Sequence, residues 1–192
     1  KMKYLSVPSI GERVSCIALG VNKTGDKRNS SKETEKSRIA FYHKAIDMGV
    51  NFFDTADVYG DGEAETLLGE ALREAGADRE QVVIASKCGI VFPGMEPAYE
   101  RKAYDLSPDY LKASCEASLQ RLGMEYLDLY QPHRIDYLTH PQETARALQD
   151  LQAEGKIRHA GVSNHTVDEI RALSAYTRIE SLQTQFSLLH LE

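Results

Sequence analysis

Residues 50–76 have the sequence VNFFDTADVYGDGEAETLLGEALREAG, in which two patterns decide the fold. The segment 50–56 is mostly apolar, which is typical of a β-strand buried on both faces of a parallel sheet. From Gly62 onward, leucine and alanine recur at helical spacing until Gly76, which predicts an amphipathic helix that ends at a glycine. The stretch is therefore predicted to be a strand, a loop and a helix in succession.

The same succession recurs along the chain. We predict six strands, at residues 16–20, 50–56, 82–88, 126–133, 157–163 and 181–187. Five helical patterns separate them, at residues 31–49, 62–76, 107–123, 140–155 and 166–176. Regular alternation of this kind predicts a parallel sheet built from right-handed βαβ units. Either a doubly wound open sheet or a (β/α)8 barrel, also called a TIM barrel, satisfies the pattern.

The first strand-to-helix turn favours the barrel. A dinucleotide-binding sheet should carry G-x-G-x-x-G there, and residues 18–27 (ALGVNKTGDK) do not match it. Residues 3–8 and 13–16 are predicted to form an N-terminal β-hairpin that closes the bottom of the barrel. A complete barrel typically needs about 250 residues. We therefore expect residues 1–192 to form a single barrel domain in which about six strands are present and the C-terminal βα units are missing.

Composition points to a soluble cytoplasmic protein. The net charge is −6 and no run of lysine and arginine exceeds two residues, which argues against nucleic acid as a partner. No apolar run approaches the roughly 18 residues of a membrane helix, and the N-terminus does not resemble a signal peptide. Three scattered cysteines without a C-x-x-C motif predict reduced thiols.

Polar residues occupy the C-terminal ends of the predicted strands, which is where barrels carry their catalytic groups. Because these ends meet at one mouth, the side chains are expected to converge. They are Asp54, Lys87, His133, Ser163 with Asn164, and Gln185, together with Tyr59 in the loop after the second strand.

These residue types suit proton transfer to or from an oxygen atom. A lysine at the end of a buried strand needs a partner, and Asp54 on the neighbouring strand is the candidate for Lys87. The ammonium group is expected to lower the pKa of Tyr59, and His133 can donate a hydrogen bond that polarises a carbonyl group. The set fits carbonyl reduction or alcohol oxidation, for which a redox cofactor must supply or accept the hydride.

Five segments resemble the signatures of the aldo-keto reductase family in order and spacing. They are DTADVYGDGEAE (54–65), VIASKCG (83–89), LDLYQPHRID (127–136), GKIRHAGVSN (155–164) and QTQFSLLH (183–190). The resemblance implies that aldehydes and ketones are reduced at the mouth of a (β/α)8 barrel by NADPH or NADH. It implies a catalytic tetrad of Asp54, Tyr59, Lys87 and His133, with Tyr59 as the general acid.

The resemblance also implies cofactor contacts. Ser163, Asn164 and Gln185 match positions that hydrogen-bond the nicotinamide carboxamide, and Gly20 lies at the first strand end. NADP(H) is the expected cofactor, with NAD(H) as the alternative, and the expected partner is a small carbonyl or alcohol substrate. In the long loop of residues 89–107, Phe92 and Tyr99 are candidates for the substrate pocket, although a surface loop packed on itself fits equally well.

Three alternatives remain at this point. A metal-dependent hydrolase would use His133, His159 and Asp54 as ligands, but the chain lacks His-x-His and Lys87 would lie beside the metal, so no metal is expected. A regulatory relative would keep the barrel and sense the cofactor without catalysis. Finally, a truncated chain would be inactive however well its motifs match.

Overall fold

A computed structural model of the protein describes residues 1–7, 10–22, 32–94 and 99–189. These residues form ten strands, five α-helices and a short 3₁₀-helix at Arg79–Gln81. The strands are β1 (Tyr4–Val7), β2 (Gly11–Ser15), β3 (Leu19–Gly20), β4 (Phe52–Asp54), β5 (Val83–Cys88), β6 (Ile90–Val91), β7 (Ala103–Tyr104), β8 (Leu127–Pro132), β9 (Ile157–Ser163) and β10 (Ser181–Gln183). The helices are α1 (Lys32–Asp47), α2 (Glu63–Glu74), α3 (Pro108–Leu122), α4 (Pro141–Ala153) and α5 (Val167–Ser174).

The central sheet has six parallel strands in the order β10-β9-β8-β5-β4-β3. Each predicted strand contains one of them, which confirms the predicted alternation. Every residue of β5 and β8 is buried, as expected for strands covered on both faces. Within the described residues β3 and β10 each pair on one side only, so the sheet is an open part of a (β/α)8 barrel.

The helices begin and end where their capping residues predict. The Ser107 hydroxyl accepts a hydrogen bond from the Tyr110 amide at the start of α3, and Gly123 ends that helix with a φ of 66°. Thr166 caps α5 in a capping box with Glu169. A capping residue and the helix end that it stabilises lie within a few residues of each other, and for this reason the sequence predicts the helix ends well.

Helices α2 and α3 approach each other closely at Gly69. A Cβ atom placed on Gly69 would lie 2.3 Å from the carbonyl oxygen of Leu122. The close approach lets the leucines of both helices, among them Leu68 and Leu119, pack into the main core between the helices and the sheet.

The two remaining strand pairs lie at opposite ends of the sheet. The predicted N-terminal hairpin is present as antiparallel β1 and β2. The side chain of Asn51, just before β4, ties it to the N-terminal end of the sheet by accepting from the Ser15 amide at 2.7 Å and donating to the Gln81 carbonyl at 2.9 Å. At the C-terminal end, the loop after β5 contains antiparallel β6 and β7, which the sequence did not predict.

In the described part of the chain, no helix is both long enough and apolar enough to cross a membrane. The three cysteines carry free thiols, with Cys16 exposed and Cys88 and Cys115 buried.

Candidate active site

A buried ion pair forms the floor of the site at the ends of β4 and β5. Lys87 is 1% exposed, and its Nζ donates to Asp54 Oδ1 at 2.6 Å and to the Thr55 carbonyl oxygen at 2.9 Å. The two strands are neighbours in the sheet, with Asp54 opposite Ala85. The expected pairing of the lysine with Asp54 is therefore present, and it compensates an ammonium group that would otherwise be buried alone.

Tyr59 and His133 lie above this pair. The Lys87 Nζ is 5.3 Å from the centroid of the Tyr59 ring, and the Tyr59 and His133 rings meet edge to face with centroids 5.9 Å apart. The His133 amide donates to the Cys88 carbonyl oxygen at 2.8 Å, which fixes the end of β8 beside the end of β5. The structure thus brings together all four residues of the predicted tetrad.

The pKa of Tyr59 differs from the sequence prediction. Burial, followed by the charges of Asp54 and Asp57, raises it from 10.0 to about 12. The expectation of a lowered pKa was wrong, because the phenol loses solvation and lies near the carboxylates of Asp54 and Asp57. Tyr59 is therefore fully protonated at neutral pH.

His133 is neutral at the same pH. Burial, then the charges of Lys87, Arg134 and Lys102, lower its pKa from 6.5 to about 4. Its Nδ1 is buried and has no hydrogen-bond partner among the described residues. The pKa of Lys87 is also lowered by burial, against the opposing effect of Asp54. A neutral imidazole can donate a hydrogen bond from one ring nitrogen without releasing a proton at neutral pH.

Amide and hydroxyl groups line the next strand ends. The Asn164 side chain donates from Nδ2 to Ser163 Oγ at 2.8 Å and to the His133 carbonyl oxygen at 3.2 Å. Asn164 adopts a φ of 56°, a left-handed conformation in which asparagine is enriched. The backbone amide of Asn164 donates to the backbone carbonyl oxygen of Gln183 at 2.9 Å, and this bond joins the ends of β9 and β10.

The structure places Gln183, and not Gln185, in this group. Gln183 Nε2 donates to Asp54 Oδ2 at 3.1 Å, and Gln131 Nε2 donates to Gln183 Oε1 at 3.3 Å. Gln185 is exposed and lies beyond the end of β10. The sequence reasoning missed both Gln183 and Gln131. The register would have found Gln183, since it pairs directly with Ser163 across the two strands.

The model of the Aldo/keto reductase family matches residues 16–192. The chain belongs to the aldo-keto reductase family. Its resemblance to that family, inferred from the five sequence segments, is confirmed, and so is the (β/α)8-barrel fold, of which six parallel strands are present in the described residues.

Relatives of this aldo-keto reductase chain include a 6-dehydroglucose reductase of Novosphingobium aromaticivorans. The two are 39% identical over 190 residues, which are 95% of this chain and 59% of that protein. A glycerol dehydrogenase from Gluconobacter oxydans has a TM-score of 0.85 at 32% identity, over 96% of this chain and 55% of that structure. A Klebsiella pneumoniae aldo-keto reductase in complex with NADPH has a TM-score of 0.72 at 33% identity, over 92% and 55%. The chain therefore spans little more than half of these relatives.

The remaining candidate residues differ in their surroundings. Gly20 pairs with Asp54 at the same edge of the sheet, and a Cβ atom added to it would meet nothing within 4 Å. Phe92 follows β6 and is 41% exposed. The Tyr99 hydroxyl donates to Asp105 Oδ2 at 2.7 Å, so this side chain is bound within its own loop. Phe92 therefore keeps part of its ring exposed, whereas the Tyr99 hydroxyl is hydrogen-bonded within the loop.

The metal-dependent alternative gains no support. His159 Nδ1 lies 3.0 Å from Glu180 Oε1. Within the described ranges, no group of three or more His, Cys, Asp or Glu side chains is arranged to hold a metal ion.

Proposed function

We propose that this aldo-keto reductase chain carries the catalytic half of an NADPH-dependent reductase that converts aldehydes or ketones to alcohols, reversibly. The observation that carries the proposal is the buried Asp54–Lys87 pair beneath Tyr59 and beside a neutral His133. The partner would be a small carbonyl or alcohol substrate, and the location would be the cytoplasm, as the sequence predicts.

The residues at the strand ends fit a nicotinamide carboxamide. The Ser163 hydroxyl accepts from Asn164 and keeps its own proton to donate, and the Asn164 Oδ1 can accept from an amide group. Gln183 adds a second amide, and the open space at Gly20 admits a ring close to the backbone. The NADPH complex of the Klebsiella pneumoniae relative supports NADP(H) as the cofactor, with NAD(H) as the alternative.

The roles of the four side chains follow from their charge states. A bound reduced nicotinamide supplies the hydride that the carbonyl carbon receives. Tyr59 donates its phenolic proton to the carbonyl oxygen, since its pKa of about 12 keeps it protonated at neutral pH. Lys87 stabilises the phenolate that results, and solvent then restores the proton. His133 donates a hydrogen bond that orients and polarises the carbonyl group.

The role of Tyr59 as proton donor is tested by a substitution that removes its phenolic oxygen. Tyr59→Phe in the purified protein should lower kcat for the NADPH-dependent reduction of 4-nitrobenzaldehyde by about 10²- to 10⁴-fold. NADPH affinity, measured by fluorescence titration, should stay nearly unchanged. Tyr137→Phe is the matched control, since that side chain is 82% exposed and its hydroxyl binds Glu169. Substantial turnover in Tyr59→Phe would contradict the assignment, and NADPH binding without turnover in the unchanged protein would favour a cofactor sensor.

A further inference from the structure

Two cations flank His133 at the mouth of the barrel. Arg134 follows it directly in the chain, and Lys102 immediately precedes β7. The β6–β7 hairpin rises from the end of β5, whose last residue, Cys88, accepts the His133 amide hydrogen bond. Lys102 and Arg134 therefore lie in the segments that follow the C-terminal ends of β5 and β8, two strands that pair in the sheet.

Neither cation has an anionic partner in the described part of the chain. Both side chains are exposed, and no described carboxylate lies within 4.0 Å of either. Some other cations of the described residues are paired with carboxylates, whereas others, such as the exposed Arg146, are not. The paired ones include Arg38, Arg79, Lys112, Arg121, Lys156 and Arg158.

Two of the three described carboxylates nearest to these cations in sequence accept hydrogen bonds from other groups. Asp105 accepts from the Ser107 amide at 2.9 Å and from the Tyr99 hydroxyl. Asp136, two residues after Arg134, is buried and accepts from backbone amides and from the Thr139 hydroxyl at 2.6 Å. Glu100 is exposed. None of these carboxylates forms an ion pair with Lys102 or Arg134 in the described part of the chain, so both cationic groups can form a direct ion pair with an anion.

Aromatic rings position Lys102. Its Nζ lies 5.6 Å from the ring centroids of both Phe92 and Tyr104, a cation–π arrangement. The two rings are 41% and 40% exposed, so they form an apolar wall next to the charge. The field of both cations reaches His133, whose pKa they help to lower.

We propose that Lys102 and Arg134 bind an anionic group of the substrate, so that carbonyl compounds bearing a carboxylate or a phosphate are preferred over neutral analogues. The carbonyl would lie at His133 and Tyr59, and the anion at the rim. The preference in turnover rests on the proposed reductase function. The binding of the anion itself does not.

Turnover is measured on two matched pairs of substrates. 4-Carboxybenzaldehyde is compared with methyl 4-formylbenzoate, and glyceraldehyde 3-phosphate with glyceraldehyde. The variants are Lys102→Met, Arg134→Met and the variant with both substitutions. Lys102→Arg is added as the variant that keeps the positive charge. Arg146→Met is the control, because it removes an exposed cation on α4 and changes the net charge equally.

We expect a higher kcat/KM for the anionic member of at least one pair. The first pair reports a carboxylate site and the second a phosphate site. Each single methionine variant should reduce the ratio about five-fold, since one exposed charge contact is worth about that factor in water. Lys102→Arg should retain the ratio, and high salt should diminish it. No preference in either pair, or an equal loss in Arg146→Met, would overturn the proposal.

An NMR titration with benzoate, and with benzamide as the neutral probe, tests the anion site separately from the reductase function. If no aldehyde is reduced but benzoate shifts the His133 signals and the double variant abolishes the shift, the reductase function fails and the anion site stands. If both aldehydes of a pair are reduced equally and benzoate does not bind, the anion site fails and the reductase function stands.

Discussion

Asp57 is a second buried carboxylate, two residues before Tyr59, that the proposed chemistry does not use. Its side chain is 4% exposed, and Oδ2 accepts from the Ser114 hydroxyl of α3 at 2.8 Å. Its amide donates to the Lys87 carbonyl oxygen at 3.1 Å. Burial, opposed by Ser114 and reinforced by Glu65, raises its pKa from 3.8 to about 7. Asp57 therefore links the loop of Tyr59 to α3 and changes charge near neutral pH.

The raised pKa makes the stability of the protein depend on pH. Between pH 4 and 7 the folded state holds the Asp57 proton and the unfolded state does not, so the free energy of unfolding falls as the pH rises. Asp57→Asn keeps an oxygen that accepts from Ser114 and removes the ionisation. We expect it to abolish about 3 kcal/mol of the fall between pH 5 and pH 8, measured by urea unfolding.

The control for this measurement is Asp47→Asn, since Asp47 is exposed at the end of α1. It should leave the pH dependence unchanged. A pH dependence of Asp57→Asn that matches the unchanged protein would show that Asp57 ionises in the fold as it does in the unfolded chain.

The roles of Gln183 and Gln185 can be compared by the effect of each alanine substitution on NADPH affinity. Gln183→Ala removes an amide that contacts Asp54 and lies beside the proposed carboxamide site, so NADPH affinity should fall about five-fold, the usual worth of one hydrogen bond. Gln185→Ala should leave the affinity unchanged, because Gln185 lies beyond the end of β10, outside the hydrogen bonds that join Gln183 to Asp54 and Gln131. Fluorescence titration of NADPH with both variants decides between the two residues, and a loss confined to Gln185→Ala would support the sequence prediction of Gln185.

The two glutamines also show what the sequence can predict. The residue types at the strand ends, such as Lys87 and His133, were found because a polar group that ends a buried strand is a local signal. The choice of Gln183 required the pairing of β10 with β9, a contact between distant parts of the chain. The pKa of Tyr59 likewise depends on the three-dimensional structure, because burial and the nearby charge of Asp57 raise it. The sequence alone does not show how large these effects are.

At the scale of elements, the sequence located the helices better than the ends of the strands. Helix ends follow from nearby caps such as Ser107 and Gly123. Strand ends follow from where a neighbour stops pairing: the strand predicted at 181–187 ends at Gln183, opposite Ser163. The β6–β7 hairpin was missed because its strands are two residues long and carry no periodic pattern.

The contact of α2 with α3 predicts an unusual effect of alanine in a helix. Gly69→Ala would normally stabilise an exposed helix by up to about 1 kcal/mol. Here the added methyl group lies 2.3 Å from the Leu122 carbonyl oxygen, so the helices must separate and the protein should lose about 1–3 kcal/mol. Thermal unfolding measures the loss. Gly20→Ala, where a Cβ meets nothing within 4 Å, should be nearly neutral, and a stabilised Gly69→Ala would refute the close contact.

At the scale of the whole molecule, the described sheet has two strands that pair on one side only, β3 and β10. A row of unpaired backbone groups at a sheet edge is a template for association with another chain. Beyond β10 the chain also exposes large apolar side chains, with Phe186 88%, Leu188 94% and Leu189 98% exposed. An unpaired edge and an apolar surface thus lie side by side.

We therefore expect the 192-residue chain to self-associate through this edge. Its sedimentation coefficient should rise with protein concentration, and the double substitution Phe186→Ser with Leu188→Ser should weaken that rise. Leu138→Ser is the matched control, since Leu138 is 95% exposed but lies in the loop between β8 and α4. If the chain stays monomeric at every concentration, or if Leu138→Ser has the same effect as the double substitution, the edge beside β10 is not the surface that associates.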